Sequence, residues 1–198
     1  MSDIQIIEKP DWVSWDEIHE VLWKAHEKNR EKGMSMRYPS LSGDELRNLI
    51  GEKGKCFVAI YDGNVVGTNA FILKQNLRWY AKGQIVAHFC LASVLPEYQG
   101  SSVYFSLNRY RQKYIDKLGI KIMDMDTAEN NKLMQRLLLK QGYKYVDYMA
   151  PKSSHYSVIM ARWTDGCPFS DRYCAFRFWV RKFIVRLRYK PGRIKRFI

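Results

Sequence analysis

Residues 94–110, VLPEYQGSSVYFSLNRY, contain the turn that decides the fold. An apolar, strand-like segment ends at Pro96, and the small or polar residues Gln99, Gly100 and Ser101 follow. Apolar residues then recur at steps of three and four, which predicts an amphipathic helix. A helix start carries unpaired N–H groups and partial positive charge, so this turn suits a phosphate. An ordinary strand–turn–helix connection is the alternative interpretation.

The rest of the chain alternates between strand and helix patterns around this turn. Capping boxes at Ser14 and Ser42 predict two helix starts, and Asp62-Gly63 predicts a hairpin turn. The predicted strands are 4–9, the hairpin 55–73, 84–94, 119–127, 143–149 and 155–163. The predicted helices are 14–28, 42–50, 101–118 and 131–140. This order predicts a mixed α/β sheet with few crossovers.

Charge divides the 198 residues into a body, 1–163, and a basic C-terminal extension, 164–198. The net charge is +13, but ten Lys or Arg residues and no Asp or Glu lie between Arg172 and Ile198. The remainder holds 23 basic and 20 acidic residues and is nearly neutral. Any anionic partner is therefore expected at the extension rather than at the body.

The four cysteines form no C-x-x-C pair, which favours a reduced, intracellular and cytoplasmic protein and argues against a metal site. The N-terminus shows no secretory signal pattern. No stretch approaches 18 uncharged apolar residues, so we expect no membrane-spanning helix.

Two motifs, in order, resemble the GNAT superfamily of N-acetyltransferases. The first family pattern is Gln/Arg-x-x-Gly-x-Gly/Ala after a strand, often preceded by V-x-P-x-Y, and VLPEYQGSSVY matches it at Val94, Pro96, Tyr98 and Gln99. The second pattern is N-x-x-A-x-x-L-Y-x-K-x-G-F. NKLMQRLLLKQGY matches it at the residues Asn131, Leu137, Lys140, Gly142 and Tyr143.

The resemblance implies a mostly antiparallel sheet flanked by helices and splayed between its fourth and fifth strands. It also implies acetyl-CoA as the acetyl donor. The backbone N–H groups that would cradle the pyrophosphate belong to Gln99, Gly100, Ser101, Ser102, Val103 and Tyr104. The pantetheine arm would bond to the backbone at Ala92 and Val94 as a pseudo-strand, and Asn131 would bond to it from the other side.

Four positions depart from the family pattern, and Ser102, at a position where the family has glycine, is the mildest departure. Tyr104 and Met134 replace small residues, and Leu138 stands where many relatives have a tyrosine that acts as the acid. We expect Tyr143, Tyr145, Tyr156 or water to serve instead, although a thiolate leaving group does not require an acid.

The general base is expected to be a histidine. In the superfamily's histone acetyltransferases the catalytic glutamate lies eleven positions before the motif's first Gln, which corresponds to His88. A histidine titrates near neutral pH and suits this role. His155, at the start of the last strand, and His26, on the first helix, are the alternatives. A buried, structural histidine remains open for His88. Asp124 and Asp126 are interpreted as solvated or hydrogen-bonded rather than catalytic.

The resemblance therefore predicts acetyl transfer to a primary amine of a small molecule. An amino sugar is favoured because Trp79, Tyr80 and Tyr38 supply aromatic walls, and an aromatic amine or a peptide terminus would suit the same walls. Two other functions are considered. The departures at Tyr104 and Leu138 suit an acyl-CoA-binding protein without turnover, and the basic extension suits a nucleic-acid-binding module. We disfavour nucleic acid as the partner.

The basic extension predicts a C-terminal helix that ends at Pro191-Gly192 and carries an apolar stripe of Phe176, Trp179, Val180, Phe183, Ile184 and Leu187. The stripe is expected to pack on the body or on a second subunit of a homodimer. Alternatively, residues 172–198 lie on an anionic inner-membrane surface.

Overall fold

The computed structural model describes residues 4–31, 38–150 and 156–189, and its centre is one seven-stranded sheet in the order β1-β2-β3-β4-β5-β7-β6. The strands are β1 (Gln5–Glu8), β2 (Gly54–Tyr61), β3 (Asn64–Gln75), β4 (Ile85–Val94), β5 (Ile122–Ala128), β6 (Lys144–Met149) and β7 (Ser157–Trp163). The helices are α1 (Trp15–Ala25), α2 (Glu27–Glu31), α3 (Gly43–Ile50), α4 (Val103–Lys117), α5 (Lys132–Lys140) and α6 (Asp171–Arg188).

Local sequence rules account for most element boundaries. In both predicted capping boxes, Ser14 with Glu17 and Ser42 with Glu45, the serine hydroxyl accepts the glutamate N–H and the glutamate carboxylate accepts the serine N–H. The predicted hairpin is confirmed: β2 and β3 pair antiparallel, and the left-handed backbone at the turn residues 62 and 63 matches the twist of the strands.

Helices cover both faces of the sheet. Val103, Leu107 and Ile115 of α4 lie in the core cluster on one face, together with Leu138 of α5. Helices α1 and α3 pack on the other face and bury the apolar residues Ile18, Val21, Leu22, Leu46 and Ile50. The predicted α/β class, with its mostly antiparallel sheet, is confirmed.

The sheet opens between β4 and β5, as expected. These strands are parallel neighbours, and their pairing covers only Val86–Ile122, Ala87–Met123 and His88–Asp124. A β-bulge lies just beyond that point, because β4 has two residues, Leu91 and Ala92, opposite the single residue Asn69 of β3. Leu91 in the bulge has a left-handed φ of 53°. A bulge bends its strand and increases its twist, which separates β4 from β5.

Two sequence expectations need correction. The first helix ends at Ala25 rather than near Lys28, and His26 caps it before α2 begins. The buried face of α6 is not the expected stripe: Cys174, Phe178 and Val185 are buried, whereas most of the stripe is exposed. The proposed helix end at 191–192 lies outside the described residues.

Candidate functional site

The candidate site is the wedge between the splayed ends of β4 and β5. The closed end of the wedge is the pair His88–Asp124, and beyond it β4 pairs only with β3, at Ser93 and Val94 among others. One backbone edge of β4 therefore faces the wedge along Ala92 and Val94. An extended chain lying there could pair with that edge as an added strand.

The turn after β4 presents an open backbone surface at the wide end of the wedge. The side-chain amide of Gln99 donates to Val94 O at 3.0 Å and so ties the turn to the strand. Gly100 has a φ of 85°, and an added Cβ would meet no heavy atom within 4 Å. Ser101 and Ser102 are exposed, and Ser101 Oγ accepts the N–H of Val103 at 3.3 Å.

This turn fits a phosphate group. The first turn of α4 directs N–H groups out of its N-terminus, where Tyr104 and the residues before it have no intrahelical acceptor. Small residues precede the helix, and the backbone remains accessible. Gln99 N–H and Ser101 N–H already donate to Pro96 O and Tyr98 O, so the predicted pyrophosphate contacts depend mainly on the other N–H groups of the turn.

The two bulky departures from the family pattern contact each other. Tyr104 Oη lies 3.5 Å from Met134 Sδ, so the tyrosine side chain bridges from α4 to α5. Asn131 caps α5 by accepting Met134 N–H at 3.2 Å with its Oδ1 atom. Its NH₂ group remains available as a donor near the end of β5. The two helices that border the wedge are thus joined at their N-termini.

The chemistry-bearing residues meet at the closed end of the wedge. His88 Nδ1 lies 2.6 Å from Asp124 Oδ1, and His88 Nε2 lies 3.4 Å from Asp126 Oδ1. Asp124 is buried, whereas about a third of the Asp126 side chain is exposed. Alternation along β5 places both carboxylates on the same face as His88. The site therefore runs from a buried anion, through an imidazole, to an accessible anion.

Residues from the turn after β3 hold Asp124 in place. Its second oxygen accepts from Tyr80 Oη at 2.5 Å and from Asn76 Nδ2 at 2.8 Å. Lys74 Nζ lies 3.7 Å from its first oxygen. Burial and the neighbouring carboxylate raise the pKa of Tyr80, so this hydroxyl is a donor. Asp124 is therefore an acceptor only, and Nδ1 of His88 must carry a proton.

The surrounding charges set the titration of these groups. Burial disfavours the charged form of His88, but the hydrogen bonds with Asp124 and Asp126 outweigh it and raise the pKa of His88 above its usual 6.5. Burial disfavours the Asp124 carboxylate as well, yet His88 holds the pKa of Asp124 below its usual 3.8. The same balance lowers the pKa of Asp126.

Two other histidines were candidates for the base, His26 and His155. His155 lies outside the described residues. His26 Nε2 contacts Ser93 Oγ at 3.0 Å, near the end of β4. Burial, together with Arg30, lowers the pKa of His26 to about 4. His26 is therefore neutral at physiological pH and hydrogen-bonded to the strand.

The predicted tyrosines lie in packed surroundings. Tyr143 is buried in the core beside Phe89, with ring centroids 6.4 Å apart, and burial raises its pKa to about 12. Tyr145 Oη donates to Gln135 Oε1 at 3.1 Å, and Tyr156 Oη donates to Tyr189 O. The role of Tyr143 as an acid stays a prediction, and its core environment gives it little support.

Asp124 and Asp126 are hydrogen-bonded, which is consistent with their sequence interpretation, but the sequence did not show that both contact His88. The sequence also gave no indication that Tyr80 and Asn76 donate hydrogen bonds to Asp124. The alternation of Asp124 and Asp126 along β5 was the available signal. Their link to His88 depends on the register of two parallel strands, which no local motif encodes.

The family model of the acetyltransferase (GNAT) family matches residues 15–143, a span that contains β4, β5 and the turn between β4 and α4. No curated protein sequence matches the chain.

Solved structures with the same fold include three acetyltransferases. An aminoglycoside 6'-acetyltransferase type Ii is 15% identical with a TM-score of 0.62, and the match covers 80% of this chain and 96% of that one. The PaiA N-acetyltransferase of Thermoplasma acidophilum, in complex with coenzyme A, is 18% identical with a TM-score of 0.62, and the match covers 81% and 99%. The ribosomal-protein-S18-alanine N-acetyltransferase of Escherichia coli is 14% identical with a TM-score of 0.62, and the match covers 85% and 96%.

At these identities the likeness shows the fold alone, whereas the family model covers well over half of the chain. The wedge, the turn at the start of α4 and the family match lead to one conclusion: the chain belongs to the GNAT family of N-acetyltransferases.

Proposed function

We propose that the protein is an acetyl-CoA-dependent N-acetyltransferase that acetylates a primary amine of a small molecule. The observation that carries the proposal is the position of His88, at the closed end of the wedge and bonded to Asp124 at 2.6 Å. The GNAT family uses acetyl-CoA, and the structure of the similar PaiA enzyme holds coenzyme A.

The coenzyme fits the donors described above. The N–H groups of the turn 99–104 would hold its pyrophosphate, the edge of β4 at Ala92 and Val94 would pair with the arm, and Asn131 would donate to the arm from the opposite side. When bound, acetyl-CoA supplies a thioester carbonyl that accepts the amine nitrogen, and the thiolate leaves with the electrons of the C–S bond.

An amine that enters as an ammonium loses two protons on becoming an amide: His88 accepts the first, and the second would end on the departing sulfur, which is released as a thiol. Because Nδ1–H donates to Asp124, the neutral imidazole has its lone pair on Nε2. The positive charge that develops on the ring is stabilised by Asp124, which is itself fixed by Tyr80 and Asn76. General-base catalysis of this kind contributes about 10²–10⁴-fold to turnover.

Asp126 gives the site a preference for a cation. With His88 neutral, Nε2 and the Asp126 carboxylate are two acceptors only 3.4 Å apart. A substrate ammonium can donate to both, which relieves their repulsion and aligns the nitrogen with the base. This arrangement supports a protonated amine as the acceptor that first enters the site.

Two of the three aromatic residues expected to line an amino-sugar site are instead engaged in contacts within the protein. Tyr80 is buried on Asp124, and Trp79 donates to Val146 O at 2.9 Å and packs against Phe169. The amino sugar therefore remains one acceptor within the wider class of small primary amines. A cytoplasmic location and a homodimer stay predictions from the sequence.

The test is release of free thiol from acetyl-CoA in the presence of a panel of amines, which includes amino sugars, polyamines, aminoglycosides and aromatic amines. We expect at least one amine to give turnover that depends on His88. Coenzyme binding without turnover on any amine would instead favour the alternative of an inactive acyl-CoA-binding protein, which Leu138 and Tyr104 suggest.

A further inference from the structure

Helix α6 has two apolar faces, and only one contacts the body. Cys174, Phe178 and Val185 are buried, and Phe178 packs on Tyr145 of β6 with ring centroids 5.0 Å apart. The opposite side of the helix, which we call the exposed α6 face, consists of Phe176, Trp179, Val180, Phe183 and Leu187. Four of these, all except Val180, are between 61% and 65% exposed. Successive residues turn by 100°, so the two faces point in opposite directions.

Ion pairs fix the helix in this orientation. Lys182 Nζ lies 2.7 Å from Glu129 Oε1, and Arg186 Nη2 lies 2.8 Å from the same oxygen. Arg181 Nε lies 3.3 Å from Asp147 Oδ1. Because the buried face and these pairs hold α6 against β6, the helix cannot turn its second apolar face inward without breaking them.

Basic side chains flank the exposed α6 face. Arg172, Arg177 and Arg188 are exposed, and Asp171 is the last acidic residue in the chain. The sequence adds four more Lys or Arg residues between 190 and 198. Large exposed apolar residues flanked by cations on one helix are typical of helices that lie in the interface of a lipid bilayer.

The charge distribution selects among the partners that could cover this face. A second copy of the chain would bring two sets of arginines together around the apolar contact, and no acidic residue of α6 beyond Asp171 would offset them. An anionic lipid surface offers complementary charge to Arg172, Arg177 and Arg188, while Arg181 and Arg186 keep their carboxylate partners on the body. It also receives the aromatic rings at the level of the headgroups, while the arginine side chains extend to the phosphates.

We infer that the exposed α6 face binds the surface of an anionic lipid bilayer. The helix would lie parallel to the bilayer plane, with its buried face and the body directed toward water. In the described ranges, no helix has the length and apolar character that crossing a bilayer requires. The contact is therefore peripheral, and it is independent of the proposed acetyl transfer.

Glu129, the body residue that anchors α6, lies close to the wedge in the chain. Glu129, which binds Lys182 and Arg186, directly follows β5 and lies two residues before Asn131. These pairs hold the body side of α6 near the end of β5, so the exposed α6 face is directed away from the wedge.

The test is flotation of the full chain with vesicles of phosphatidylcholine alone and of phosphatidylcholine mixed with phosphatidylglycerol, at low and high salt. We expect binding to the anionic vesicles, which weakens as salt screens the charges. The triple variant Phe176→Ser, Trp179→Ser, Phe183→Ser should lower partitioning at least tenfold. The charge variant Arg172→Gln, Arg177→Gln, Arg188→Gln should lower it about fivefold per charge removed.

A matched control removes exposed apolar side chains elsewhere. The variant Trp12→Ser, Leu77→Ser loses two residues that are as exposed as those on α6, and it should float like the wild type. The circular dichroism of all variants should match the wild type, because the changed side chains lie on the surface.

Four outcomes would overturn the inference. Equal binding to neutral and anionic vesicles would show that the basic side chains do not contribute to binding. Flotation that the triple variant leaves unchanged would show that the exposed α6 face does not contribute. A stable dimer in solution that the triple variant dissociates, with no vesicle binding by the wild type, would assign the face to a second copy. Salt-sensitive RNA binding without vesicle binding would assign it to nucleic acid.

Discussion

His88 and Asp124 form the last residue pair that joins β4 to β5, and their side chains are hydrogen-bonded at 2.6 Å. The point at which the sheet opens is therefore also the point at which the imidazole is oriented. A ligand that enters the wedge along β4 would end beside this pair. The same backbone register thus supports both the coenzyme site and the proposed base.

Replacing His88 with alanine should lower turnover by about a hundredfold or more, because the amine loses its proton acceptor. Affinity for coenzyme A should remain within a few-fold of the wild type, since the turn at 99–104 is untouched. Steady-state kinetics with a working acceptor and calorimetry with coenzyme A measure the two effects. His19→Gln changes a histidine of α1 and serves as the control. Equal turnover of His88→Ala and His19→Gln would return His88 to a structural role.

The acidic limb of the pH–rate profile should lie above pH 6.5 in the wild type. The carboxylates of Asp124 and Asp126 raise the pKa of His88, so the imidazole becomes a free base only at higher pH. Asp126→Asn removes one of the two negative charges, which lowers the pKa of His88 and moves the limb to lower pH. Profiles of kcat/KM against pH measure this shift.

Asp165→Asn, which removes an exposed carboxylate paired with Lys121, is the control for that shift and should leave the limb in place. A limb that stays at the wild-type position in Asp126→Asn, or that moves to higher pH, would contradict the assignment of His88 as the titrating base.

Local patterns predicted the parts of the fold that local physics determines. The Asp62-Gly63 turn, the capping boxes at Ser14 and Ser42, and the helix after Ser102 each follow from hydrogen bonds or backbone angles within a few residues. The link between His88 and Asp124 spans 36 positions and depends on strand register. For the same reason, the order of β6 and β7 was not apparent from the sequence.

Helix α6 shows why hydrophobicity alone misassigns a buried face. The expected stripe contains larger apolar residues than the true buried face, which includes Cys174 and Val185. Tertiary ion pairs at Glu129 and Asp147 select the less hydrophobic face. Sequence periodicity detects both faces but does not indicate which one a partner strand will cover.

Binding of acetyl-CoA should stabilise the fold by about 2.7 kcal/mol at one hundred times the dissociation constant. Ser101→Asp and Ser102→Asp should each reduce this gain, because a carboxylate at the start of α4 opposes the pyrophosphate. Thermal melts with and without acetyl-CoA measure the difference. Asn48→Asp adds the same charge on α3 and should keep the full gain. The coenzyme assignment fails if millimolar acetyl-CoA leaves the wild-type melting temperature unchanged.

Glu129→Gln should loosen α6 from the body. Burial disfavours the Glu129 carboxylate, but hydrogen bonds from Lys182, Tyr148 and Arg186 outweigh it and lower its pKa to about 2. A lowered pKa contributes stability that is complete above the ordinary value of 4.5 and is lost as pH falls toward 2. The wild type should therefore lose protection of α6 across that range, whereas Glu129→Gln should lack it already at pH 7.

Amide hydrogen exchange of α6 measures this anchoring residue by residue, and urea unfolding gives the accompanying loss of about 1–3 kcal/mol at pH 7. Glu97→Gln removes an exposed carboxylate after β4 and should change neither quantity. Unchanged exchange in α6 would show that Phe178 and Val185 alone suffice to dock the helix on β6.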